Sequence, residues 1–449
     1  MRVLFVVHQF LPRHHTGTEQ YVRSLARGLR SRGHQVSIFT LEPVLPLVAP
    51  GKTWAEKDEK VDGIPVRVAG LHIAAQPNHE LADYQNPVAV RLFRRYLDKK
   101  KFDLVHVFHL RYLGVGALNE LRVLGIPVVV NLMDFWALCP RYTLLRSDGV
   151  LCDGPPDNGL GCIGCINPNL GKLVANLELA DALTDIFEFD AKLPDFTGTP
   201  ARLAKAFVGR REVIFDSLQS AAAVVAPSRF LRQMFEKNGV PKGVLRHIPY
   251  GVDPSRLGGH KKKWKDMGEV LNIGYVGSIT QHKGLHVLIP ALRAIKGDHW
   301  KLHVHGNLDT HPAYSEEVLD LADQDPRIVF HGAFKPKDLG KTLQTLDLLV
   351  VPSIWYENTP FSVLEGQMMG LPILASNLGG ISELVIHRKN GFLFKAASQR
   401  SLTIQLKKIL ADPNQLKSLE LRQQVRTLEQ NTDDFVELYE ECSSSHLPT

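Results

Sequence analysis

Residues 348–376 read LLVVPSIWYENTPFSVLEGQMMGLPILAS. Leu348–Ser353 is an apolar, β-branched run of strand type, and PILAS (Pro372–Ser376) is a second. Between them, Thr359-Pro360 has the form of a helix start, because threonine caps and proline suits the first helical position. The spacing predicts a helix from Pro360 to about Met369, with Gly370 as its left-handed stop. Strand, helix and strand in succession are the unit of a parallel sheet.

The same rhythm recurs outward from this stretch. RVLFVV, QVSIFT, LVHVF, PVVVNL and AAVVAPS punctuate the first half, and NIGYVGS, KLHVHG and RIVFHG precede LLVVPS and PILAS in the second. Near-continuous apolar strands separated by helical lengths predict parallel sheets covered on both faces. The fold class is therefore α/β, with two Rossmann-like doubly wound domains facing a cleft. Residues 1–255 form the expected N-terminal domain and 268–430 the C-terminal one, joined near GVDPSRLGGHKKKWKDMGEV. Residues 166–215 break the rhythm and read as helical excursions interrupted by Pro194 and Pro200. Residues 431–449 read as a helix crossing back to the first domain, with Phe435, Leu438 and Tyr439 on one side, then a polar tail.

At 449 residues the chain exceeds one ordinary core. Its 44% hydrophobic and 22% charged content is that of a globular protein. Its longest apolar runs fall well short of the roughly 20 residues of a membrane span. The N-terminus opens directly on a strand-like run without a signal-peptide pattern, which predicts a cytoplasmic location. The net charge of +6 is modest, but RLFRRYLDKKK (Arg91–Lys101) and HKKKWK (His260–Lys265) concentrate positive charge. These runs read as solvated faces, or as peripheral attraction to the inner face of an anionic membrane. Nucleic acid is an unfavoured partner, because no aromatic–basic interleaving accompanies them.

The start of the predicted helix carries the chemistry. A helix N-terminus presents unpaired N–H groups and partial positive charge, which suit an anion such as a diphosphate. Phe361 and Ser362 can offer backbone donors, whereas Pro360 cannot. Glu365 lies about 7–8 Å further along the axis, a reach that suits the hydroxyls of an attached ribose. Glu357 precedes the helix and is placed for a group on the other side of the diphosphate. From spacing alone, a surface glutamate plus a helix-dipole glutamate explains the pair equally. GYVGSITQHKG adds a second strand-end turn in the same half. There Gly277 allows close backbone approach, and Lys283 supplies a counter-charge.

These segments resemble the nucleotide-sugar glycosyltransferases of family 4, also called group 1, which have the GT-B arrangement. GTEQYVRSLARGLRSRGHQVSIFT, IPYGVD, GSITQHKG, the Glu357-to-Glu365 segment, MMGLPILASNLGGISELV and NGFLF carry the likeness across nearly the whole chain. The resemblance implies a retaining hexosyltransferase that needs no catalytic metal. It assigns donor ribose to Glu365, the transferred sugar to Glu357 and the departing diphosphate to Lys283. It places Gly277, Ser278, Asn358, Thr359, Pro360, Phe361 and Ser362 around that diphosphate, Gly17 and Thr18 across from it, and the base near Phe330–Phe334. His106 and His109 compete for the family's active-site histidine, with His109 favoured as nearer the strand end. Departures are Ser278 where arginine is common, Gly-Thr-Glu for Gly-Gly-Glu, Tyr250 for asparagine, and Met133-Asp134 for His-Asp.

The implied function is transfer of a sugar from a UDP, GDP or ADP donor to a glycan or lipid-linked acceptor in cell-surface polysaccharide synthesis. Preorganised donors around the leaving group are the main catalytic contribution expected. Alternatives are a non-catalytic partner subunit, suggested by Ser278, and an epimerase or phosphorylase on the same fold. A dinucleotide oxidoreductase is disfavoured, since neither half has GxGxxG after its first strand.

Cys139, Cys152, Cys162 and Cys165 follow a C-x12-C-x9-C-x2-C pattern in a Gly-, Pro- and Asp-rich stretch, 139–165, read as an insert of a family subgroup. Four thiolates with one CxxC pair suit a structural zinc, and less readily an iron–sulfur cluster. Reduced or redox-paired thiols, or disulfides, are the alternatives.

Overall fold

The computed structural model describes residues 1–43, 54–73, 78–174, 199–262, 268–421 and 425–444. The chain forms two compact units. One comprises residues 1–227, 232–248 and 432–449; the other comprises 228–231 and 249–431. The change-over thus falls at Pro249, a few residues before the anticipated 255.

The first unit holds strands β1 (Arg2–Val7), β2 (Gln35–Glu42), β3 (Trp54–Val61), β4 (Ile64–Leu71), β5 (Leu104–Val107), β6 (Val128–Asn131), β7 (Ala223–Ala226) and β8 (Leu245–His247). Their order in the sheet is β3-β4-β2-β1-β5-β6-β7-β8. Only the β3–β4 pair is antiparallel. Val3 to Val7 are all fully buried, as expected of a central strand covered on both faces. The β3–β4 hairpin turns on Asp62-Gly63, both with left-handed φ (51° and 73°). This is the two-residue turn that matches strand twist.

The second unit holds β9 (Leu271–Val276), β10 (Trp300–His305), β11 (Ile328–Gly332), β12 (Leu348–Val351), β13 (Ile373–Ser376) and β14 (Gly391–Phe394), all parallel. Their order is β11-β10-β9-β12-β13-β14. Winding therefore starts at β9, runs one way to β11, then reverses from β12. Helix Phe361–Met369 packs over β12 and β13, with Val363 and Met369 sharing a core with Leu349, Ile373 and Ala375.

Two local expectations are corrected. Pro360 is the cap of the β12–β13 helix and not its first residue, because its ψ of 121° is extended; Gly370 closes the helix with φ 73°. Pro200 lies in the first turn of helix Thr199–Phe207 and opens it instead of breaking it. Pro194 lies outside the described residues. The last helix, Leu428–Ser444, carries Phe435, Leu438 and Tyr439 buried, and Arg32 pairs with Asp433. Gly28 lets it approach, since a Cβ there would meet Thr432 Oγ1 at 2.5 Å.

No helix among the described residues is long and apolar enough to cross a membrane. The basic runs are partly neutralised: Arg94 pairs with Asp98 and Glu120, and Arg95 lies 3.5 Å from Glu56. Lys262 is buried against Asp347 at 2.7 Å.

Candidate functional site

In the second unit, β9 and β12 are neighbours at the point where winding reverses, the place where the carboxyl-end loops of such sheets form a ligand crevice. Those loops carry Gly277–Lys283 and Ser353–Pro360. They are clamped together by Gly284, which has φ 79° and stands so close that a Cβ would meet Pro352 O at 1.9 Å. Ile354 N also donates to His282 O at 2.9 Å. The clamp brings Lys283 Nζ to 2.7 Å from Glu357 Oε1, and Ser353 Oγ donates to the same oxygen at 2.6 Å. Glu357 is 4% exposed. Burial pushes its carboxyl up, but the Lys283 charge, with hydrogen bonds from Lys283, Ser353 and Trp355, outweighs this and holds it below the ordinary range.

The loop after β13 fixes Glu357 and Asn358 from behind. Gly380 N donates to Glu357 O at 2.7 Å, and a Cβ on Gly380 would fall 1.6 Å from Asn358 O. Asn358 Oδ1 accepts from Ser228 Oγ at 2.9 Å. Thr359 is buried, and Phe361 at the helix start stacks on Tyr250, with centroids 5.0 Å apart. Gly277 and Ser278 are exposed at the crevice. Tyr275 OH holds the turn by donating to Ser278 O at 2.6 Å.

Glu365 has the opposite electrostatics. It is buried one helical turn in, and its pKa is pushed up to about 7 by burial, against the lowering influence of Arg256. Arg256 Nη1 lies 2.6 Å from Glu365 Oε1, yet off the hydrogen-bonding direction, so that oxygen has charge contact without a hydrogen bond. Such an oxygen is ready to accept from hydroxyls. The two glutamates are thus distinct: one is held ionised by a lysine, the other is half-protonated near neutrality.

Near Phe330–Phe334, β10 and β11 present an aromatic ladder. His305 stacks on His331 at 4.4 Å and meets Phe334 edge-on at 6.2 Å. Burial, then the charges of His331 and His303, lower the His305 pKa to about 4, so its ring is neutral at physiological pH.

In the first unit the winding reverses between β1 and β5. Gly17, exposed, and Thr18 start helix Gly17–Ser31 after β1. Thr16 Oγ1 donates to buried Glu19 at 2.5 Å, turning that carboxylate inward. His109 follows β5 and lines a pocket with Asn131, Met133, Asp134 and Trp136. Arg111 N donates to His109 Nδ1 at 3.0 Å, so the proton of the neutral ring sits on Nε2, which faces Asp134 Oδ2 at 3.3 Å. Trp136 N fixes the other Asp134 oxygen at 2.7 Å. His8 stacks tilted on His109 at 4.2 Å, and its Nδ1 is buried without a partner. His106 is elsewhere. It is fully buried among Phe5, Phe108 and Phe435, with Nδ1 2.6 Å from Tyr439 OH.

Cys139, Cys152, Cys162 and Cys165 line a single pocket, and all are free thiols. Among the described residues, no three His, Cys, Asp or Glu side chains are already arranged to hold a metal ion.

Sequence reasoning missed Arg256, Ser353, the Gly379-Gly380 brace and His8. Of these, only the double glycine carried a local signal, because a close backbone approach asks for glycine.

Residues 260–442 match the family described as "Glycosyl transferases group 1", and residues 16–153 match "Glycosyl transferase 4-like domain". The C-terminal unit is a group 1 glycosyltransferase domain. The chain is 27% identical over 208 residues (42% of this chain, 54% of the relative) to lipopolysaccharide 1,2-N-acetylglucosaminetransferase of Salmonella typhimurium. It is 26% identical over 165 residues (36% and 42%) to the capsular polysaccharide biosynthesis glycosyltransferase CapM of Staphylococcus aureus. The match therefore spans about half or less of the length of these curated relatives. Among solved structures, sucrose-phosphate synthase from Thermosynechococcus elongatus superimposes with a TM-score of 0.63 at 19% identity, covering 99% of this chain and 96% of that one. HepE of Anabaena, in complex with UDP and glucose, gives 0.57 at 16% identity, covering 99% of each. The group 1 domain and its N-terminal companion thus share the GT-B fold of glycosyltransferases.

Proposed function

We propose that the protein transfers a sugar from a nucleoside-diphosphate sugar to a glycan or lipid-linked acceptor, with retention at the anomeric carbon. The observation that carries this reading is the pair of unlike glutamates flanking the helix start at the β9–β12 crevice. Loss of the nucleoside diphosphate builds negative charge on the leaving group. The Phe361–Met369 N-terminus and Lys283 stand ready to meet it, so stabilisation is preorganised and needs no divalent cation. Glu357, kept ionised by Lys283, accepts hydroxyls of the transferred sugar. Glu365 accepts those of the ribose. With Lys283 and Glu357 mutually satisfied, neither is a free nucleophile. The departing phosphate then takes the acceptor proton on the same face of the sugar.

His109, with its Nε2 proton directed at Asp134 and its Nδ1 accepting from Arg111 N, is held as a fixed ring beside the site and does not act as a base. The relatives of capsule and lipopolysaccharide synthesis support a cell-surface glycan as acceptor, and the UDP-bound neighbour supports a UDP donor. The test is transfer from UDP-, GDP- and ADP-sugars to membrane-derived glycan acceptors, with the product anomer assigned by NMR and chelator present. An inverted product, or release of free sugar nucleotide epimer without acceptor, refutes the reading.

A further inference from the structure

Arg256 is loosely held where it stands. Its Nη1 lies 2.6 Å from Glu365 Oε1, yet neither that oxygen nor the buried Arg256 Nε has a hydrogen-bond partner. A guanidinium engaged in this way leaves part of its planar fork of donors unused. Its position also conflicts with the role of Glu365. A ribose hydroxyl donating to Glu365 Oε1 would sit about 2.5–3.0 Å from that oxygen, the place that the arginine tip takes. Ribose therefore displaces Arg256 from Glu365 and frees a cation beside the helix start.

The backbone that carries Arg256 has little freedom. Asp253 caps the turn Pro254–Leu257 by accepting from Ser255 N at 2.9 Å, and Gly258 ends it with φ 56°. Leu257 is buried in the core that holds Val363. Gly340 closes on the turn from another side, since a Cβ there would meet Leu257 O at 2.1 Å. The side chain alone can turn, over helix Phe361–Met369, against which the turn packs. Along that helix Phe361 is about 6 Å from Glu365, within the swing of an arginine side chain.

A diphosphate at the helix start is short of positive charge. Lys283 is already paired with Glu357 at 2.7 Å. Ser278 brings no charge. The His282 ring is engaged, with Nε2 3.2 Å from Thr280 Oγ1 and its edge towards Trp355. An arginine released next to a diphosphate can bind it through paired N–H donors.

We propose that Arg256 is the second cation of the leaving group: it covers Glu365 until ribose takes that carboxylate, and its guanidinium then turns to the diphosphate. There it joins Lys283 in balancing the charge that builds as the bond to the sugar breaks. The inference rests on the donor-site reading above, and adds to it a residue and an exchange of partners.

The experiment is calorimetric titration of UDP, GDP and ADP, with chelator present, into wild type, Arg256→Ala and Arg256→Lys. Uridine, guanosine and adenosine are measured by displacement of the matching diphosphate. The ratio of diphosphate to nucleoside affinity should fall about 10–100-fold in Arg256→Ala. Arg256→Lys, which keeps the charge without the fork, should stand between. Any change in the protonation of Glu365 acts on both ligands and cancels in the ratio. An unchanged ratio in Arg256→Ala overturns the proposal and leaves Arg256 as a counter-ion of Glu365. A crystal structure of wild type with the diphosphate bound, in which Arg256 still contacts Glu365 Oε1, overturns it equally. Folded wild type that binds none of the three diphosphates contradicts the donor-site reading itself, and this inference with it.

Discussion

Replacing Glu365 by glutamine should change how stability depends on pH. Burial raises the folded pKa of Glu365 from 4.5 to about 7, and the group is 5% exposed, so solvent screens it little. A rise of that size corresponds to about 3 kcal/mol at about 1.36 kcal/mol per unit. The folded chain holds this proton more tightly than the unfolded chain. The contribution is therefore fully present below about pH 4.5, and is lost as pH rises through about 7. Glu365→Gln cannot titrate and escapes that loss. Relative to wild type, the variant should gain about 3 kcal/mol between pH 4.5 and 8, roughly 6–12 °C in unfolding temperature for a unit of this size. The assay is thermal or urea unfolding of both proteins at intervals across this range. Other groups titrate alike in both and cancel. Curves that stay parallel from pH 4.5 to 8 would refute the argument that Glu365 is a desolvated carboxyl opposed by a single arginine. Nucleotide binding should run the other way, tightening in wild type as pH rises through 7, because ribose hydroxyls donate to the ionised form.

Other outcomes follow from the same contacts. Lys283→Ala removes the leaving-group cation and strands buried Glu357; turnover should fall about 10²–10³-fold, and the unfolding midpoint should drop, both checked on the purified variant. Gly380→Ala forces a Cβ into Asn358 O and should cost about 3 kcal/mol, with loss of donor binding in calorimetry. Tyr439→Phe leaves His106 Nδ1 without its partner and should cost about 1–3 kcal/mol, while nucleotide affinity stays at the wild-type value. Arg256→Ala removes the charge that lowers the Glu365 pKa, so the pH midpoint of nucleotide binding should move upward.

Much of the second unit was legible in LLVVPS, PILAS and their counterparts, because strands buried on both faces must be apolar throughout. Thr359-Pro360 and Gly370 marked the helix to within one residue; the error arose because Pro360 serves either as cap or as first residue, and only its ψ decides. The β3–β4 hairpin was overlooked although Asp62-Gly63 announced it, since WAEKDEKV alternates weakly and carries little apolar weight. The burial of His106 against Tyr439, 333 residues away, could not be read locally, and the Arg256–Glu365 contact is likewise remote in sequence. Such partners are set by how loops converge at strand ends, which no local pattern records. Gly284 and Gly380 show the same thing from the backbone side: each is required by a carbonyl contributed by a distant loop.

The central claim is that the glutamates at the β9–β12 crevice read a nucleotide donor. Calorimetric titration of UDP, GDP and ADP into wild type and Glu365→Ala tests it most directly. One nucleotide should bind, and the variant should lose about 1.5–3 kcal/mol of that affinity, the scale of hydrogen bonds to a charged group. If none of the three binds the folded protein, or Glu365→Ala binds as tightly as wild type, the donor-site account is contradicted.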